Sequence, residues 1–227
     1  YNADLDILAC ATTPDIRKPT VPALLAWYLD TFTGADGTAV VGAHTPDIYP
    51  SPGLPGVYYA MGSDSGPKIN SNQAAWDPAG PGGSATTYNA LETPFGLTLP
   101  YRMWMTATCG ASPDQWMQFS IDGQYSASRM YMALMWDGTL FVQCWAYDEL
   151  ANLVFDHSGT YTAVVGVEHT VELYAEATQM RVIIDGVTVD TVSAGTPPTD
   201  GAYLKVRVFQ AAAGDPTGTI NTVGIDK

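Results

Sequence analysis

From residue 101 onward the chain falls into short runs, doubly apolar up to residue 147 and alternating in several later stretches, separated by Gly, Asp and Pro. A period of two is that of a β-strand, whose successive side chains point to opposite faces. The runs 101–109, 115–121, 128–136, 139–147, 152–156, 160–167, 169–176, 202–209 and 219–225 read as strands. In 202–209, Leu204, Val206 and Val208 face inward, while Lys205 and Arg207 face outward. Helical periodicity is nearly absent, because 22 glycines and 16 prolines punctuate the sequence. Residues 1–22, with three prolines and no alternation, read as an extended arm. The segment 43–100 is rich in Gly, Pro, Ser and Asn, so long loops and short edge strands such as Val57–Met61 are expected there.

Turn chemistry supports this reading. Asp-Gly occurs at 36–37, 122–123, 137–138, 185–186 and 200–201. The pair tolerates the positive φ angles of a tight hairpin turn. A two-residue turn at Asp185-Gly186 sets Ile184 opposite Val187 and Val182 opposite Val189 on one face. The other face then opposes Arg181 and Asp190. The strands within 101–147 are apolar on both faces, so each face is covered or serves as a binding surface. A two-residue turn at Asp137-Gly138 opposes Tyr131 with Cys144, Ala133 with Val142 and Met130 with Trp145. A turn of odd length exchanges the faces. Around ten short antiparallel strands predict an all-β, two-sheet sandwich of jelly-roll type. The division is an extended N-terminal arm over 1–28 and a sandwich over 29–227.

Composition narrows the function. The chain has 227 residues, of which 46 % are hydrophobic, which suits one β domain with a sizeable core. Charged residues are only 14 %, and 23 acids against 9 bases give a net charge of −14. Such a field repels nucleic acid and anionic membrane surfaces, so neither is expected as a partner. The apolar run 23–29 is far too short to span a bilayer. Cys10, Cys109 and Cys144 form no CxxC and no disulfide framework. Cys109 and Cys144 sit in apolar stretches and read as small buried hydrophobes.

Catalytic patterns are sparse. Glycoside hydrolysis uses two carboxylates flanking the sugar. Asp148 and Glu149 are adjacent and point apart, and Glu172 and Glu176 share a face that looks solvated. There is no Glu-x-Asp-x-Glu pattern, no Gly-x-Ser-x-Gly and no P-loop. His44, His157 and His169 show no metal-pair spacing and read as hydrogen-bonded structural residues. No catalytic residue, no metal site and no cofactor is expected. The one candidate for a structural calcium is Asp30, Asp36 and Asp226, if the chain ends meet. The aromatics carry more. Trp104, Trp116, Tyr131 and Trp145, interleaved with Gln118 and Gln143, combine rings and planar amides that can stack on sugars and bind their hydroxyls. The same pattern serves rings that fill a core or meet a partner subunit.

The phrase Asp30-Thr31-Phe32-Thr33-Gly34-Ala35-Asp36-Gly37-Thr38, followed by His44-Thr45-Pro46-Asp47, resembles the opening of many bacteriophage virion proteins. Those carry a concanavalin A-like lectin/glucanase (laminin-G-like) jelly roll. His169 to Tyr174 with Arg181 to Val189 is similar to that family's late hairpin, and Thr219 to Asp226 resembles its closing strand. The resemblance implies a non-enzymatic virion structural protein of the capsid or tail, displayed on the particle surface. Its implied partners are other virion subunits, a host glycan and further copies of itself. A carbohydrate-binding module is the alternative, with a polysaccharide hydrolase behind it.

Overall fold

A computed structural model describes residues 26–49, 58–60, 66–75, 83–110, 115–122, 129–136, 140–148, 150–160, 164–193, 197, 199–210 and 218–227. The strands are β1 (Ala26–Asp30), β2 (Tyr58–Ala60), β3 (Lys68–Ile69), β4 (Ala74–Ala75), β5 (Gly83–Gly96), β6 (Tyr101–Thr108), β7 (Gln115–Asp122) and β8 (Arg129–Trp136). They continue as β9 (Leu140–Tyr147), β10 (Leu153–Thr160), β11 (Glu168–Ala175), β12 (Met180–Ile184), β13 (Val187–Val192), β14 (Asp200–Gln210) and β15 (Thr219–Asp226). No helix occurs among the described residues. The strands form two antiparallel sheets. One is eight-stranded in the order β13-β12-β11-β6-β15-β4-β3, with β1 also paired to β15. The other is seven-stranded in the order β10-β9-β8-β7-β14-β5-β2. The fold is a concanavalin A-like jelly-roll sandwich.

The core lies between the sheets and follows the alternation. Tyr101, Met103, Met105 and Ala107 of β6 are buried, as are Met180, Val182 and Ile184 of β12. They face Met117, Phe119 and Ile121 of β7, Met130, Met132 and Leu134 of β8, and Leu204, Val206 and Val208 of β14. Each such side chain, once fully buried, contributes about 1.5–3 kcal/mol. Cys109 and Cys144 are free thiols inside this core. Burial pushes the Cys109 thiol up to about 12 and raises Cys144 as well.

Two expected registers are corrected. Between β8 and β9, Trp136 pairs with Leu140, so three residues connect the strands and the odd-length case holds. Tyr131 is therefore opposite Trp145, Ala133 opposite Gln143 and Met132 opposite Cys144. One residue of slip sends every side chain to the other face. In the late hairpin, Ile184 pairs with Val187 as expected, but a bulge pairs Val182 with Asp190 and Arg181 with Thr191. Val189 falls in the bulge and is exposed, and Val187 is exposed as well, although its partner Ile184 is buried. Asp190 instead meets His157 Nδ1 at 2.7 Å and ties the edges of the two sheets together.

The 43–100 segment is more regular than its composition suggests, since the 14-residue β5 pairs along β14. Of the expected strand over 160–167, Thr160 ends β10, residues 161–163 lie outside the described residues, and 164–167 form a turn. Of the expected arm, residues 1–25 lie outside the described residues, and the rest enters β1.

The first and last strands do meet, as β1 pairs with β15. The three acids considered for calcium nonetheless go to different partners. Asp30 is fully buried. It accepts the Phe32 amide at 2.7 Å and the Tyr58 hydroxyl at 2.6 Å, and lies 2.8 Å from His44 Nε2. Because Tyr58 gives its proton to Asp30, the hydroxyl of Tyr28 donates to Tyr58 in turn. Burial and then neighbouring charge raise both phenols well above their usual range. Asp36 accepts the Ser71 amide at 2.7 Å, and Asp226 is held by Arg102. Among the described residues, no group of three or more His, Cys, Asp or Glu side chains could hold a metal ion.

Candidate functional site

The outward face of the seven-stranded sheet is built by pairing. Arg207, Gln118, Ala133, Gln143 and Ser158 form one row across β14, β7, β8, β9 and β10. Two residues along, Lys205, Ser120, Tyr131, Trp145 and Asp156 form the next row. The middle of these rows is recessed: Gln118 is 6 % exposed, Ser120 2 %, Tyr131 8 % and Ala133 0 %. The flanks are half-buried, with Gln143, Trp145 and Tyr147 on β9, and Lys205 and Arg207 on β14. These buried positions run between a half-buried aromatic β9 and a half-buried cationic β14.

Tyr131 and Trp145 stack at 4.4 Å between ring centroids with an interplanar angle of 4°, and Tyr147 meets Trp145 edge-on at 5.2 Å. Parallel packing holds the two rings rigid; Trp145 is half-buried, whereas Tyr131 is almost wholly covered. Gln118 Nε2 donates to Ser120 Oγ at 3.2 Å. Lys205 Nζ donates to Asp122 Oδ2 at 2.5 Å. Burial pushes the Tyr131 phenol up to about 12, while the Arg207 charge pulls against that rise.

Of the predicted residues, Gln118, Tyr131, Gln143 and Trp145 come together here. The backbone of Trp116 lies on β7, and its side chain is outside the described residues. Trp104 is on the other side of the sandwich, on the outward face of the eight-stranded sheet. There the Arg102 guanidinium lies 5.8 Å from the Trp104 ring centre. Arg102 donates through Nε to Asp226 and through Nη1 to Glu172, both at 2.9 Å. Gly224 lies under the indole so closely that an added Cβ would come within 2.6 Å of it. Arg181 sits 4.5 Å over the Tyr174 ring and bonds Glu176 at 3.3 Å. Glu172 and Glu176, weighed as a hydrolytic pair, are thus each committed to an arginine. Asp148 accepts the Leu150 amide at 2.9 Å and the Asn152 amide at 2.8 Å, closing the β9–β10 turn.

Ser120, Ala133, Lys205 and Arg207 were not singled out from the sequence. The outward direction of Lys205 and Arg207 was legible in the β14 alternation. Their meeting with Tyr131 depends on strand order, which alternation does not encode.

Comparisons with known proteins follow the fold. No protein-family model matches the sequence, and no curated protein does. Solved structures do. A mutant of SCLam, a non-specific endo-β-1,3(4)-glucanase from family GH16 co-crystallised with a glucan oligosaccharide, matches with TM-score 0.60 and 12 % identity over 91 % of this chain and 95 % of that one. A Bacillus licheniformis β-glucanase matches with TM-score 0.58 and 11 % identity over 88 % and 97 %. The Crh5 transglycosylase matches with TM-score 0.53 and 13 % identity over 90 % and 85 %. At these identities the likeness establishes the fold.

The likeness also corrects the expectation of a protein without catalysis, because glucanases and a transglycosylase share this fold along about nine-tenths of the chain. That expectation rested on a missing linear pattern, whereas catalytic acids pair in space. The virion role implied by the resemblance finds no support in these comparisons.

Proposed function

We propose that the outward face of the seven-stranded sheet binds a polysaccharide chain. The observation that carries this is the stacked Tyr131–Trp145 pair beside Gln118, Gln143 and Ser120 on one sheet face. Apolar sugar faces pack on aromatic rings, and sugar hydroxyls bond planar amides and hydroxyls. The fold shared with β-glucanases supports this reading. A virion setting is not needed for it.

Cleavage of the bound chain is the second reading, favoured by the same fold. It calls for two carboxyl groups about 5–9.5 Å apart. Asp122 and Asp156 occupy this face on β7 and β10, three strand spacings across and two residues along, about 16 Å apart between backbones.

The test is affinity electrophoresis of the purified chain in gels carrying neutral and acidic polysaccharides, with release of reducing ends assayed in parallel. Retardation by at least one polymer is expected. Unaltered mobility in all of them would overturn the binding reading, and new reducing ends would establish the second.

A further inference from the structure

All three histidines of the chain lie against an aspartate: His44 on Asp30, His157 on Asp190 and His169 on Asp185. His169 differs in what its second nitrogen meets. It sits at the start of β11 and is only 6 % exposed. Its Nδ1 lies 2.8 Å from Asp185 Oδ2, in the turn between β12 and β13. Its Nε2 lies 3.2 Å from the backbone nitrogen of Val164. A backbone N–H can only donate, so Nε2 is the acceptor and Nδ1 carries the proton that faces Asp185. The neutral ring is therefore the form that satisfies both contacts.

A second proton would set an N–H on Nε2 against the N–H of Val164. Two donors make no bond, so the charged ring keeps Asp185 and loses the amide. Asp185 stays in place, because it also accepts the Thr170 amide at 2.8 Å. At His44 and His157 the nitrogen in contact faces a carboxylate, and a proton strengthens that contact. The Val164 amide belongs to the turn 164–167, in which Val167 N donates to Val164 O at 3.1 Å. Gly166 N donates to Cys109 O at 2.9 Å, and Val165 packs against the core. The turn thus closes the end of the sandwich beside Cys109, a free thiol with no exposed surface. Around the ring, Glu168 on its own strand is bonded by Asn221, and Asp190 on β13 meets His157. Strand β6 sets Ala107 opposite His169, and β8, packed on β11 from the other sheet, presents Met130, Met132 and Leu134. Asp185 is therefore the acid that balances the charged ring once the turn has left.

Imidazole is the side chain that changes charge between about pH 5 and 8. With the turn displaced, Nε2 is free to take a proton, so acid shifts the population toward the open form. We propose that His169 is an acid-released clasp, whose second proton frees the 164–167 turn and uncovers the end of the core beside Cys109.

The experiment labels the native chain with 4,4′-dithiodipyridine at pH 7.5 and pH 5.0 and assigns the modified thiols by peptide mass mapping. The ratio of Cys109 to Cys144 labelling is read, since both thiols are buried and the ratio cancels the pH dependence of the reagent. In wild type the ratio should rise about tenfold at pH 5.0, as expected for a local opening that leaves the rest of the core closed. His157→Gln should show the same rise. In His169→Gln the ratios at the two pH values should agree within about twofold, whether its turn is closed or loose, because glutamine takes no proton. An unchanged ratio in wild type, a rise that survives in His169→Gln, or equal gains at Cys109 and Cys144 each overturn the clasp. Amide exchange in wild type, corrected for its intrinsic pH dependence, gives a second reading that needs no variant. Residues 164–167 should speed up at pH 5.0 relative to 171–175 of β11, and equal changes in both segments overturn the proposal even where His169→Gln fails to fold.

Discussion

On the outward face of the eight-stranded sheet, Trp104 lies over Gly224 and beneath Arg102, whose guanidinium is shared between Asp226 and Glu172. On the outward face of the seven-stranded sheet, Trp145 stacks on Tyr131 beside uncharged amides and a hydroxyl. Both faces carry a tryptophan, an arginine and hydrogen-bonding groups. The first spends its polar groups on one another, and a ligand there would have to break ion pairs. The second sets uncharged amides and a hydroxyl beside the stacked rings. Residue types alone therefore do not mark a binding face. What differs is the charge of the pairing: ion pairs around Trp104, and an uncharged Gln118–Ser120 contact near Trp145.

This contrast yields predictions that strain it from either side. The largest effect expected is on stability. Arg102→Ala leaves the buried Asp226 carboxylate without its partner and should cost about 2–3 kcal/mol, short of the full cost of a wholly buried pair because Arg102 is 37 % exposed. Urea midpoints would measure it, and polysaccharide retention should not move. If retention falls with stability intact, the eight-stranded sheet has a part in binding. Gly224→Ala comes next, since the new methyl must push the indole aside, at a cost of about 1–3 kcal/mol. It too should leave retention alone.

Smaller effects follow from burial. Tyr131 should hold its phenolic proton to about 12, against an ordinary value near 10. Because the folded value is the higher one, this contribution to stability is complete below pH about 10 and is lost as pH rises toward 12. Absorbance at 295 nm in native and urea-unfolded protein would show the difference, and a bound polysaccharide should raise the native midpoint further. The smallest effect concerns Cys109, whose thiol is pushed up to about 12 and which therefore should resist iodoacetamide at pH 8 until the protein is unfolded. Rapid native alkylation would mean that the core opens more readily than the two-sheet packing allows.

Much of the sandwich was legible in the alternation of residues 101–225, because inward Met, Val, Leu and Ile recur at every second position. The opening phrase that carries the family resemblance also has a physical basis. Asp30 gathers Phe32, His44 and Tyr58, and Asp47 accepts both the amide and the hydroxyl of Thr31. Its residues fasten the first strand and its loop, so they speak to fold and carry no information about ligand. The strand β5 was hidden because Gly, Ser, Thr and Asn dominate its first half and dilute the apolar signal.

The candidate site was legible in part. Tyr131 and Trp145 were named, but a single residue in the β8–β9 connection decides whether they stack or face apart. Trp104 was grouped with them because β6 looks like β7 in sequence, although consecutive strands here change sheets. Arg207 joins the site only through the β14–β7 pairing, which brings together segments about ninety residues apart.

The most direct measurement sets the two tryptophans against each other: affinity-gel dissociation constants for wild type, Trp145→Ala and Trp104→Ala with the best-binding polysaccharide. The account predicts that Trp145→Ala weakens retention at least tenfold while Trp104→Ala stays within twofold of wild type. Loss in Trp104→Ala with retention in Trp145→Ala would place the site on the other sheet and contradict it.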